Sequence, residues 1–140
     1  MKTKFATLIA LTLIAALLLT GCQAKPAALS TDEVVQMTGQ ILTALDEGDY
    51  AAFTQDFSDE MLAVFPETQF AALQDMLQEA SGNYVSCGEP SISNNGGYAS
   101  YRLTCPFDLE DVVVTIVFKV DGDQVEGLFF DSPNLRALSQ

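Results

Sequence analysis

The hydrophobic period of this chain changes once, at Gly82. Upstream, apolar residues recur every three or four positions, the spacing of one helix face. Downstream they alternate, the spacing of one sheet face. Ser30-Thr31-Asp32-Glu33 has the form of a capping box, and the predicted helix runs to about Glu47 with Val34, Thr38, Ile41, Leu42 and Leu45 on its apolar face. Gly48 stops it, and Asp49 caps a short second helix whose Tyr50 and Phe53 point inward. Ser58 caps a turn through Met61, Leu62 and Phe65. Pro66 fits the first position of another helix, which carries Phe70, Leu73, Met76, Leu77 and Ala80 to the stop at Gly82. Four strands are then expected: Tyr84 to Cys87, Tyr98 to Cys105, Val112 to Val120 and Val125 to Phe130. Ser93 to Gly97 and Asp121-Gly122 read as the hairpin turns, and a helical turn is expected near Leu135 and Leu138. Helices first and strands second predict an α+β fold, with the helices covering one face of an antiparallel sheet.

The N-terminus constrains location. Lys2 and Lys4 precede an apolar run from Ala6 to Leu19, followed by Leu19-Thr20-Gly21-Cys22. A basic start, an apolar stretch and small residues at the cut form an export signal. A cysteine directly after the cut is the lipoprotein variant. The expectation is that residues 1–21 are removed, Cys22 is acylated, and the protein sits lipid-anchored on the extracytoplasmic face of the cell membrane. The apolar run is short for a span, which takes ~20 residues. Residues 22–30 form the lipidated tether, 31–131 the domain and 132–140 a tail.

After cleavage four basic side chains remain (Lys25, Arg102, Lys119, Arg136) against nineteen acidic ones, a net charge of −15. Such a surface repels nucleic acid and anionic head groups, and serves the solubility of an exposed domain. There is no histidine. That removes the usual general base and the commonest zinc ligand. With Cys22 lipidated, Cys87 and Cys105 remain as a pair in an exported chain, which predicts one disulfide.

Strand registers sharpen the picture. A first hairpin centred on Gly96 sets Cys87 opposite Cys105, on a face shared with Val85, Tyr101 and Leu103. Direct cross-strand neighbours lie ~4.5–5.5 Å apart at Cβ, close to the ~3.8 Å of a disulfide, and the bond is worth ~3 kcal/mol on the chain-entropy model. A two-residue Asp121-Gly122 turn sets Phe118 opposite Val125, Ile116 opposite Gly127, Val114 opposite Phe129 and Val112 opposite Asp131, all on the core side. Val113, Val117, Leu128 and Phe130 then form a second apolar strip, covered by a helix or the tail, or serving as a partner or homodimer surface.

Gly48-Asp49-Tyr50, Phe57-Ser58, Met61, a helix ending at Gly82 and the closing Val125-Glu126-Gly127-Leu128-Phe129-Phe130 resemble domain of unknown function 3887 over roughly residues 31–131. The resemblance implies a nuclear-transport-factor-2-like (cystatin-like) α+β fold, a curved four-stranded sheet wrapped around the first helix as a cone with an apolar interior. It carries no catalytic residues.

In such a cone Tyr101, Phe118, Phe129 and Asp131 are the candidate pocket-lining residues. Glu89, by parity with Cys87, is a second candidate inward acid. An acid beside Tyr101 defines the alternative reading, a small enzyme performing proton abstraction or hydration. The leading expectation is non-catalytic binding of a small apolar ligand or another envelope protein. Asp108-Leu109-Glu110-Asp111 and Asp121-Gly122-Asp123 lack calcium-loop spacing, so no metal or other cofactor is expected.

Overall fold

The computed structural model describes residues 28–140. Cys22, the leader and most of the tether lie outside the described residues. Four helices come first: α1 (Thr31–Glu47), α2 (Tyr50–Thr54), α3 (Asp59–Val64) and α4 (Glu67–Ser81). Then come β1 (Ser91–Asn95), β2 (Tyr98–Pro106), β3 (Asp111–Lys119), β4 (Val125–Asp131) and a closing α5 (Pro133–Leu138). The strands form one antiparallel sheet in the order β1-β2-β3-β4. This is the α+β arrangement expected from the change of period at Gly82.

Local chemistry sets the helix ends. Ser30 Oγ accepts from the Glu33 N–H while the Glu33 carboxylate accepts from the Ser30 N–H at 2.8 Å, so both halves of the capping box form. Gly48 closes α1 at a φ of 73°, the left-handed conformation that glycine adopts without strain. Asp49 and Ser58 cap α2 and α3 through the Ala52 and Met61 N–H groups. Pro66 stands one position earlier than expected, as the N-cap of α4 in extended conformation.

The buried stripe of α1 (Val34, Thr38, Ile41, Leu42, Ala44, Leu45) contributes to the core together with the inner face of the sheet. On β2 that inner face is Ala99, Tyr101, Leu103 and Cys105; on β3 it is Val112, Val114, Ile116 and Phe118. An aromatic group of Phe53, Phe57, Phe65 and Phe70 fills the end under α2–α4, with ring centroids 4.9–6.3 Å apart. Glu110 fastens the other end. Its carboxylate accepts from Ser81 Oγ on α4 (2.7 Å), from Ser132 Oγ and from the Asn134 N–H on α5 (3.2 Å).

Both hairpins depart from their expected registers. Gly96 and Gly97 both have positive φ (58° and 85°), which suits a two-residue turn, so Asn95 pairs with Tyr98 and the strand occupies Ser91–Asn95 instead of Tyr84–Cys87. The expected strand is an irregular segment held to β2 by the Val85 and Gly88 N–H groups, with one bridge at Tyr84–Phe107. Between Cys87 and Ser91 the chain takes four steps while β2 takes three between Arg102 and Cys105. Pro90, without an N–H, lies in that stretch. The slip brings Cys87 to Cys105, which form the expected disulfide with Cα atoms 4.1 Å apart. Val85, expected on the buried face, is 61% exposed because the irregular segment turns it outward.

In the second hairpin the loop spans residues 120–124 and a bulge interrupts β4. Phe118 pairs with Val125 as expected, but Val117 pairs with Gly127, leaving Glu126 as the extra residue. Every later residue of β4 therefore changes face. Ile116 pairs with Leu128 and Val114 with Phe130, and these two pack against the core. Phe129 and Asp131, expected inside opposite Val114 and Val112, pair with Thr115 and Val113 on the outer face. Val113 and Val117 keep the outer positions expected of them; Leu128 and Phe130 do not.

Candidate functional site

Among the described residues, the inner face of the sheet leaves no room for a ligand. Leu103, Cys105, Val112, Val114, Ile116 and Val125 are fully inaccessible to water, and Tyr101 and Phe118 are 2% exposed. Side chains with no accessible surface have no water-sized space next to them. The Tyr101 ring meets Phe118 edge to face, with centroids 5.7 Å apart. The four candidate pocket residues are thus divided. Tyr101 and Phe118 are core; Phe129 is 62% exposed on the far side of the sheet; Asp131 is half-exposed at its edge, with Arg136 Nη1 3.5 Å away. Glu89 is exposed on the irregular segment. Neither candidate acid, Asp131 or Glu89, shares the buried inner face with Tyr101.

The functional groups lie outside. At the β4 bulge Glu126 accepts from Ser58 Oγ at 2.9 Å and pairs with Lys119 Nζ at 2.8 Å. Lys119 reaches Glu60 at 4.0 Å. The Lys119 ammonium holds the Glu126 carboxyl below the usual range; burial opposes this, and the Ser58 hydroxyl adds to it. Hydrogen bonding to Glu126 raises Lys119 in return. Ser58 is buried and aims its proton at Glu126 while accepting from the Met61 N–H, so it serves as a strut between α3 and the sheet and has no access to a substrate. Beside this cluster lies a hollow of ≈ 380 Å³ on the outer face, lined by Tyr98, Val117, Lys119, Glu126, Gly127 and Phe129 with Glu60 at its rim. A Cβ on Gly127 would stand 3.1 Å from the Phe129 ring, so the glycine lets that exposed ring lie close over the strand.

A larger open groove of ≈ 570 Å³ runs along the back of α1, lined mainly by Gln36, Gln40, Thr43, Glu47, Gln55 and Tyr84. Tyr84 is fixed from two sides. Its N–H donates to Asp46 Oδ2 at 2.8 Å and its ring packs on Phe107. A Cβ on Gly39 would stand 3.2 Å from the Tyr84 hydroxyl, which accounts for a glycine in mid-helix that costs about 1 kcal/mol relative to alanine. Burial pushes the Asp46 carboxyl up. The Tyr84 N–H opposes, and the charges of Asp108 and Glu47 add to the rise, leaving it above the usual range. The Tyr84 phenol is raised by burial and by the Asp46 charge.

The acidic stretches are used locally. Asp108 accepts from the Asn83 backbone and side chain, and Glu110 holds α5. Among the described residues no three metal-ligating side chains are grouped to hold an ion, and no helix is long and apolar enough to cross a membrane.

A family model described as a protein of unknown function, DUF3887, matches residues 39–128, from mid-α1 into β4. The chain belongs to this family. The matched span takes in the α1 stop, the Tyr50–Phe57 segment, both hairpins and the Glu126 bulge. No curated protein matches the chain. Among solved structures it is similar to AclR from Streptomyces galilaeus, provisionally described as a hydroxylase, at 11% identity and a TM-score of 0.41, covering 78% of this chain and 85% of that one.

The Glu126–Ser58–Lys119 cluster and the Tyr84 groove were not expected from sequence. A signal for the first was present: a glycine within a strand and an acid between apolar neighbours, Val125-Glu126-Gly127, together mark a bulge.

Proposed function

We infer that this protein is a lipid-anchored, extracytoplasmic binding module that acts on another envelope protein through the outer face of its sheet, without catalysis. The observation that carries the reading is the contrast between a filled interior and the exposed Phe129 beside Tyr98 and Val117. An apolar ligand finds no interior space, whereas an exposed aromatic in a shallow hollow is the kind of anchor that protein interfaces use. The anchor rests on the Leu19-Thr20-Gly21-Cys22 box.

A photo-crosslinking residue at position 129 of the full-length chain, expressed in its own host, tests the surface. A discrete adduct from position 129 and none from position 69, an exposed site on α4, is expected. Equal labelling from both, or none from 129, contradicts the reading. The adduct's mass separates a second copy from a different envelope protein. Mass spectrometry of the mature N-terminus tests the anchor: a diacylglyceryl-modified Cys22 is expected, and an unmodified Cys22 or an intact leader overturns it.

A further inference from the structure

The sheet has two edges, and they differ. The β4 edge is engaged where it begins: Phe57 bridges Val125, the Ser58 N–H donates to the Val125 carbonyl, the Val125 N–H donates to the Asp56 carbonyl, and the bulge at Glu126 breaks the line. All five residues of β1 are exposed, and among the described residues β2 is its one neighbour in the sheet.

Hydrogen-bonding parity fixes which main-chain groups β1 offers. A two-residue turn closed by Asn95 and Tyr98 makes that pair a hydrogen-bonded one, and such pairs alternate along an antiparallel ladder. Asn95, Ser93 and Ser91 therefore turn their N–H and C=O toward β2, while Ile92 and Asn94 turn theirs away from the sheet. The Val120 N–H bond to the Gly97 carbonyl fits this parity, since it commits the odd-numbered residues of β2 to β3.

The edge is also uncharged. Ser91-Ile92-Ser93-Asn94-Asn95 contains no ionisable group, in a chain of nineteen acids and six bases. Exposed edges are ordinarily guarded by charge or by proline within the strand; here Pro90 stands just outside it. For two strongly acidic molecules, a neutral strand is where approach costs least.

We propose that two copies of this chain pair β1 to β1, antiparallel, about a two-fold axis at Ser93. The strand is its own complement in that register. Ile92 meets Asn94 of the second copy, Ser91 meets Asn95, and Pro90 arrives at Gly96, where a Cβ would find no atom within 4 Å. The outward groups of Ile92 and Asn94 become bonded, and the side chain of Ile92, 52% exposed in one copy, is covered. The lipid anchor of the reading above concentrates copies on one surface, which favours a contact this small.

The test is disulfide trapping of Ser93→Cys in the full-length protein in host membranes. Across the axis, residue 93 of each copy forms a non-hydrogen-bonded pair, the close kind of antiparallel neighbour. Cys87 and Cys105 already bond between the irregular segment and β2, with Cα atoms 4.1 Å apart. Mild oxidation is expected to give a covalent dimer of this chain. Adding Asn94→Pro, which removes one outward N–H and no hairpin bond, is expected to abolish it. Adding Phe129→Asp is expected to leave it intact. If the proline variant does not fold, Asn94→Asp replaces it, bringing two charges to the axis with the same expected loss. No dimer, a dimer that survives both position-94 variants, or an adduct with a different protein overturns the proposal. Fractionation of the same samples, with trapping repeated on detergent-solubilised protein at matched concentration, reads the anchor separately from the edge.

Discussion

The two faces of one sheet make the most instructive contrast in this molecule. Ile116 and Val117 are adjacent in β3 and both β-branched, yet Ile116 is fully buried in the core and Val117 borders an open hollow. Residue type does not distinguish the faces; the cover does. Among the described residues the core lies on one side of the sheet, so the same alternation that buries Tyr101, Leu103 and Phe118 displays Tyr98, Val117 and Phe129. The bulge at Glu126 decides which residues of β4 belong to which side.

The largest break in the contrast comes from truncating equivalent aromatics on either face. Phe118→Ala is expected to destabilise by about 3–5 kcal/mol, as for other buried aromatics. Phe129→Ala, with its ring mostly in water, is expected to cost under about 1 kcal/mol. Urea unfolding of both variants checks this; similar losses would mean the outer face is structural too. Next comes the tie between the irregular segment and the inner face. Replacing Cys87 and Cys105 together by serine is expected to cost about 2–4 kcal/mol, read as a lower urea midpoint.

A smaller effect is pH-dependent. Glu126 and Glu110 are held below the ordinary value of 4.5, so each contributes stability that is complete above that value and is lost as pH falls through the lower folded-state pKa. For Glu110, burial acts upward and is outweighed by hydrogen bonds from Ser132, Ser81 and the Asn134 N–H. Glu126→Gln and Glu110→Gln are each expected to flatten the acid limb of the stability profile below about pH 5, followed by thermal melts across pH. Asp46 has the opposite sign. Its carboxyl is raised above the ordinary 3.8, so its contribution is complete below that value and declines as pH rises. Asp46→Asn, which keeps an acceptor for the Tyr84 N–H, is expected to raise stability at pH 7 relative to pH 3, the smallest shift of the set.

Elements with redundant signals were legible in the sequence. α1 combines a capping box, a five-residue apolar stripe and a stop glycine, and forms as read. Gly82 marks the end of α4, and the long β-branched run of β3 is unambiguous. β1 is not legible as a strand because Ser-Ile-Ser-Asn-Asn has turn composition. It is a strand because Gly96-Gly97 closes a tight hairpin onto β2 and because, at the sheet's edge, it needs few apolar residues. The expected first-hairpin register differs from the observed one by a residue at the turn, and the irregular stretch around Pro90 offsets that difference, so Cys87 still meets Cys105. A one-residue slip likewise carried Phe129 and Asp131 out of the candidate pocket, since the side-chain period of a strand is two. The outer cluster was not legible because Ser58 and Glu126 are 68 residues apart and meet only through the bulge.

The side chains on the inner face of the sheet pack without space for an apolar guest. Methyl NMR under xenon pressure, or with added benzene, tests this most directly, because apolar cavities take up both. The Leu103, Val112, Val114 and Ile116 methyl resonances are expected to show no saturable shift. A saturable shift localised to these methyls would reveal a cavity among them and contradict that packing.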